Sequence, residues 1–216
     1  LHNAPDFDKL ILLKILPRQY LGDFLDGNLY LNTCKRFGAL DRSDVARFDP
    51  DDGIDESLVR VKLDVQSEQG GWLPLPVIGP TKLRSEMTDT LNVLCLYAVT
   101  NRENDSFDQR NLGFGCTTVI INDLMEFIRR VRLTAESLGK DVAHGPVQYI
   151  NPQTYCGVMG PFKKYLEFSY QNEFRFVFTN GSGIACRLSI GDLRDITHVI
   201  DTKNVPEFWR TMLKKI

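Results

Sequence analysis

No apolar run in this chain approaches the roughly 20 residues that a membrane-spanning helix needs. The opening, LHNAPDFDKL, lacks the form of a secretory leader. Charge of one sign is missing too. The 26 Lys and Arg against 28 Asp and Glu leave a net −2, so electrostatics give no reason to expect nucleic acid. There is no CxxC and no Cys/His cluster, which argues against zinc and against any other metal site. The five cysteines, Cys34, Cys95, Cys116, Cys156 and Cys186, are irregularly spaced and odd in number. Apolar settings such as VLCLYAV and GIACRLSI read as reduced core thiols and a cytoplasmic setting. His2, His144 and His198 lie too far apart for ligand spacing. Phosphate loops are absent: GxxxxGK[ST] does not occur, and Gly113-Phe114-Gly115 lacks its third glycine and precedes a strand. GxSxG is absent as well, and no calcium loop can be fitted to FDPDDGIDE. Asn104 and Asn180 each begin an Asn-x-Ser sequence, best explained as turn chemistry.

What is present fits a soluble globular protein. The 216 residues are 43% hydrophobic and 25% charged, enough for a substantial core. The apolar Leu10–Leu16 reads as a buried strand or the start of a helix. PRQYLGDFLDG then has helical spacing up to Gly27, and Asn28–Asn32 is a short strand. Thr33–Glu56 is polar and rich in Asp and Arg, and it predicts a long loop. Arg42 and Arg47 are expected to pair within it with Asp44, Asp49, Asp51 and Asp52, and the loop is expected to border a functional cleft. Leu58–Val65 and Trp72–Ile78 predict a hairpin whose Pro74 and Pro76 keep it at an edge. Asn92–Val99 should be a central strand, and Cys116–Ile121 another. Asn122 or Asp123 caps the clearest helix, with Leu124, Phe127, Ile128, Val131, Ala135 and Leu138 on one face. Arg129, Arg130 and Arg132 lie mostly off that face. Val147–Ile150 and Thr197–Ile200 are short strands, and Val205–Leu213 is a closing helix. The expectation is one strand-rich α+β domain over residues 1–216, with mixed or antiparallel sheets and two or three helices.

The stretch from Tyr165 to Phe178, YLEFSYQNEFRFVF, carries the chemistry. Its second half alternates as a half-buried strand, with Phe174, Phe176 and Phe178 on one face and Glu173, Arg175 and Val177 on the other. NGSG at 180–183 would turn it into a partner strand, Ile184–Ile190. A carboxylate and a guanidinium on one sheet face are commonly a structural ion pair. They are also how a rigid sheet presents charge to a cleft. Lys14 on the first strand and Asn32 at the end of the next would converge on Glu173 if those strands are neighbours. A glutamate placed so can hydrogen-bond a ribose hydroxyl and stabilise positive charge at an anomeric carbon, while a neighbouring cation holds a phosphate.

LDGNLYLNT with Phe37, RSDVARFDPDDG, and the later FKKYLEFSYQNEFRFVF resemble a pattern in bacterial abortive-infection (AbiGi-like) and related uncharacterised phage-defence families. The layout also resembles ADP-ribosyltransferases, which implies a split sheet, NAD as substrate, and an antiviral or toxin role. By that resemblance Glu173 matches the catalytic glutamate of the late strand, and Tyr97 the middle-strand position. Lys14 stands where Arg or His is expected, a departure from the pattern. With Asn32 and Arg175, Lys14 and Tyr97 make up the expected NAD-binding set. Two functions follow. One is transfer of ADP-ribose from NAD to an unidentified macromolecular target. The other is a non-catalytic binding or accessory module of a phage or phage-defence system, in which Glu173 and Arg175 form a structural pair.

Overall fold

The computed structural model describes residues 10–38, 47–59, 61–99 and 107–213. Strand β1 (Ile11–Leu16), helix α1 (Leu21–Leu25), β2 (Asn28–Thr33) and α2 (Cys34–Gly38) come first. They are followed by β3 (Glu56–Leu58), β4 (Leu63–Gln66), β5 (Trp72–Leu75), β6 (Thr81–Leu83) and α3 (Glu86–Asp89). The middle of the chain supplies β7 (Asn92–Val99), β8 (Thr117–Ile121) and α4 (Leu124–Ser137). Four short strands come next: β9 (Val142–Pro146), β10 (Gln148–Ile150), β11 (Gly157–Val158) and β12 (Lys163–Tyr165). The last part holds β13 (Glu173–Phe178), β14 (Cys186–Ser189), β15 (Thr197–Asp201) and α5 (Val205–Leu213).

The continuously apolar β7 is central, as its composition predicts. Along one edge it pairs antiparallel with β13 from Glu173↔Tyr97 to Phe178↔Asn92. Its other edge is shared by two strands. β1 takes one end, through Ile11↔Val99, Leu12↔Ala98 and Leu13↔Tyr97, and β2 takes the other, through Asn32↔Val93 and Thr33↔Asn92. Among the described residues, no strand lies across residues 94–96 on that edge. β1 continues into β8 and β15, β2 into β14, and β13 into β9, so the sheet forks at β7. Beside it stand a parallel pair, β10–β12, and small antiparallel sheets, β11–β3–β6 and β4–β5.

Alternation decides what each face buries. Phe174, Phe176 and Phe178 are fully buried in the larger core with Leu12, Leu31, Leu94 and Leu96. Helix α4 closes that core through Phe127, Ile128, Val131 and Ala135, and the Phe127 and Phe176 rings meet edge to face at 5.7 Å. Its N-terminus is capped by Asp123, which accepts from the Glu126 amide at 2.9 Å. Leu138 does not join the buried stripe: it follows the last turn and is 57% exposed. On the opposite face Tyr97 packs against Phe107, Val205 and Trp209.

Several sequence expectations are corrected. β13 is buried on both faces, because the larger core covers its phenylalanine side and Lys164 and Asp52 cover its polar side. The strand after NGSG, β14, pairs with β2 and not with β13. Leu58–Val65 is not one strand: Leu58 belongs to β3, and the hairpin is β4–β5. The segment expected to be all loop contains α2, and β9 was not anticipated.

Candidate functional site

The fork is where the side chains converge. β1 leaves β7 after Leu13, and the next residue, Lys14, sends its ammonium to the Cys95 carbonyl at 2.9 Å. That acceptor would meet a neighbouring strand's N–H in an unbroken sheet, so Lys14 replaces a ladder hydrogen bond. The short 3-10 stretch Gln109–Phe114 is held against the end of β1 by Gly115, where a Cβ would lie 2.1 Å from the Leu16 carbonyl carbon. Between these elements lies a cavity of about 670 Å³, within the range of small-ligand sites. Lys14, Asn32, Arg47, Tyr30, Asn111 and Glu173 are among the residues lining it.

One wall is a chain of buried charges. Arg175, fully buried, makes a bidentate pair with Asp52 at 2.7 and 2.8 Å. Its Nε donates to Glu173 at 2.7 Å, and its Nη1 also donates to the Pro161 carbonyl at 2.8 Å. Lys164 meets the other Glu173 oxygen at 2.9 Å, Asp49 at 3.0 Å and the Gln171 side-chain oxygen at 2.5 Å. The Tyr149 hydroxyl accepts from the Glu173 amide at 2.8 Å. Such charges are tolerated inside a protein because every one is paired and hydrogen-bonded.

Electrostatics follow from burial and pairing. Burial opposes ionisation of Glu173, but the Arg175 and Lys164 charges outweigh it and hold the carboxyl well below the usual range. Asp49 goes the other way: burial pushes it up to about 6 against the pull of Lys164. Burial also lowers the Lys14 ammonium, an effect that the Arg47 charge reinforces and the charges of Cys95 and Glu173 oppose. The Cys95 thiol is pushed up to about 12, chiefly by burial.

All five residues singled out from sequence, Lys14, Asn32, Tyr97, Glu173 and Arg175, border this one cavity. They do so unequally. The Tyr97 ring is packed in the core between Phe107 and Trp209, so its cavity contact is not that of a free phenol. Asn32 turns its side-chain oxygen to the Thr33 amide at 3.0 Å. The expected pairing inside Thr33–Glu56 is corrected for three of its aspartates: Asp49 and Asp52 pair with Lys164 and Arg175, and Asp51 pairs with Lys82 at 2.6 Å. Arg47 donates to the Phe114 carbonyl at 2.7 Å, while Arg42 and Asp44 lie outside the described residues. The segment does border the cavity, through Arg47 and Asp52.

Lys164 and Asn111 were not assigned roles from sequence, and Asp49 and Asp52 were assigned only to arginines of their own segment. Asp49, Asp52 and Lys164 sit inside the stretches FDPDDG and FKKYLEFSYQNEFRFVF, the first purely acidic and the second carrying Lys163, Lys164 and Arg175, a signal that local reading cannot turn into a contact. Among the described residues, no group of three His, Cys, Asp or Glu is placed to hold a metal ion, and no helix is long and apolar enough to cross a membrane. No protein-family model matches the chain, and neither does any curated protein or solved structure.

Proposed function

We propose that the fork cavity binds NAD and that the protein transfers ADP-ribose to a macromolecular target. The observation that carries this reading is the meeting of the Lys14 ammonium and the Glu173 carboxylate at one cavity, from strands far apart in sequence. Lys14 has three N–H donors and gives one to Cys95, leaving donors for a phosphate. Glu173 stays ionised at neutral pH and retains lone pairs beyond those used by Lys164 and Arg175. In the transfer, the bond from the ribose anomeric carbon to nicotinamide breaks and nicotinamide leaves. The target nucleophile bonds to that carbon and gives up its proton. Glu173 would accept from a ribose hydroxyl and stabilise the positive charge that develops on the sugar. A phage-defence or toxin setting is the biological frame that the sequence resemblance adds.

A second reading has its own observation: both Glu173 oxygens already hold a cation. In a non-catalytic module the same chain of charges would simply brace the sheet. Incubation with NAD, followed by mass spectrometry of the nicotinamide released and of modified protein, separates the two. Release that is lost in Glu173→Gln supports transfer. Unaltered NAD with any partner tested, in protein that binds none of it, supports the module.

A further inference from the structure

Among the described residues, the hairpin β4–β5 pairs with no other strand, and every residue of both its strands is exposed. Its register, Leu63↔Leu75, Asp64↔Pro74, Val65↔Leu73 and Gln66↔Trp72, sorts the side chains by face. Leu63, Val65, Leu73 and Leu75 share one face, and each is between 38% and 56% exposed. A two-stranded ribbon is marginal alone and gains from a further strand.

Its two outer edges are not equivalent. The Ser67 amide donates to the Gly71 carbonyl at 2.7 Å, which makes these two a hydrogen-bonded pair. Pairs alternate from there. Val65 and Leu73 bond across the hairpin, as do Leu63 and Leu75, while Asp64, Gln66, Trp72 and Pro74 turn their backbone groups outward. Pro74 fits only an outward position, having no N–H to give β4. By the same alternation Pro76 faces out as well. The outer edge of β5 therefore lacks donors at both prolines and is closed to another strand. The outer edge of β4 is open at Asp64 and Gln66, with Lys62 next in line.

We propose that the outer edge of β4 is a homodimer interface, to which β4 of a second copy adds antiparallel about a twofold axis. The edge is complementary to itself. Setting Leu63 against Leu63 of the second copy places Lys62 opposite Asp64 on the polar face, in both directions, and Val61 opposite Val65 on the apolar one. Lys62 and Asp64 are outward-facing residues, so in this register they exchange backbone hydrogen bonds as well as pairing their charges. A register centred on Asp64 would instead oppose two carboxylates. Leu63 then packs between Leu75 of its own hairpin and Leu63 of the second copy. The proline edges of β5 lie outermost on both sides, so the joint sheet ends there. The assembly closes at two copies instead of growing into a fibre.

Sedimentation equilibrium of the 216-residue chain tests it. A reversible dimer with micromolar dissociation is expected, since the contact is small. Asp64→Lys and Lys62→Asp each oppose like charges across the axis and should weaken the dimer about tenfold or more. The two changes together restore opposite charges and should return the affinity to near that of the parent. Both side chains are exposed, so the melting transitions of all four proteins should coincide. A parent that stays monomeric at about 100 μM overturns the proposal. So does a monomer that floats with phosphatidylcholine vesicles, which would assign the apolar face to a lipid surface. A dimer indifferent to the single changes, or one that the double change does not rescue, overturns the β4 edge as its seat.

Discussion

Glu173 has two jobs available to it, and its neighbours let them be measured apart. Replacing it by Gln leaves Arg175 and Lys164 each short of a counter-charge in a buried setting, a loss of roughly 3–5 kcal/mol. The melting temperature of Glu173→Gln is therefore expected to fall by about 10 °C, since about 1 kcal/mol shifts a chain of this size by a few degrees. If transfer occurs, NAD turnover should fall about a hundred- to a thousandfold beyond any loss of folded protein. A less stable variant with full turnover would remove Glu173 from the chemistry. Lys14 should behave in the opposite way. Its ammonium is buried without a carboxylate bonded to it among the described residues, so Lys14→Met should leave the melting temperature within a few degrees. Its NAD affinity, measured by titration, is expected to fall at least tenfold.

At the scale of elements, the segment carrying Asp49 and Asp52 is clamped onto β12 and β13 by charge, and the stability linked to that clamp depends on pH. The Asp49 carboxyl rises from its ordinary 3.8 to about 6, chiefly through burial. In that window the native state binds the proton more tightly than the unfolded chain. The stability linked to this group is therefore greatest below about 3.8 and declines as pH rises to about 6. Glu173 works in reverse at lower pH, losing its stabilising charge only as pH falls through its depressed value. Unfolding in urea between pH 4 and 6 should show Asp49→Asn with a shallower fall in stability towards pH 6 than the parent. An identical slope would show that Asp49 does not titrate there.

The elements themselves were largely legible. Period-two alternation marked β13, a continuous apolar run marked β7, and a capped apolar stripe marked α4. Partnership was not legible. β14 looks like the second arm of a hairpin because NGSG looks like its turn, yet it lies on β2, where Leu188 enters the larger core. The site was readable as a set of residues and unreadable as a network. Lys14 and Glu173 advertise themselves as charges on apolar strands. Asp52 sits in a polar stretch, where nothing local says that its carboxylate faces Arg175, 123 positions away.

For the whole molecule, thiol chemistry offers a simple check of packing. All five cysteines are free, and Cys116 and Cys156 are exposed while Cys34 is buried. Burial pushes the Cys34 and Cys95 thiols upward, so they hold little reactive thiolate at neutral pH. A thiol reagent is expected to label Cys116 and Cys156 quickly in the native protein and all five after denaturation without reductant. A smaller final count would reveal a disulfide.

The fork also dictates when the cavity exists as the chain is made. β1 and β2 emerge first, but β7 and β8 must follow before β1 is flanked, and β13 and β14 are later still. Until β13 arrives, β7 presents a long apolar edge with unpaired peptide groups, the kind of template on which chains aggregate. A ribosome that stalled after α4 would thus release a sheet with neither Glu173 nor a closed edge. Products that end before Phe178 are therefore expected to aggregate instead of keeping partial function.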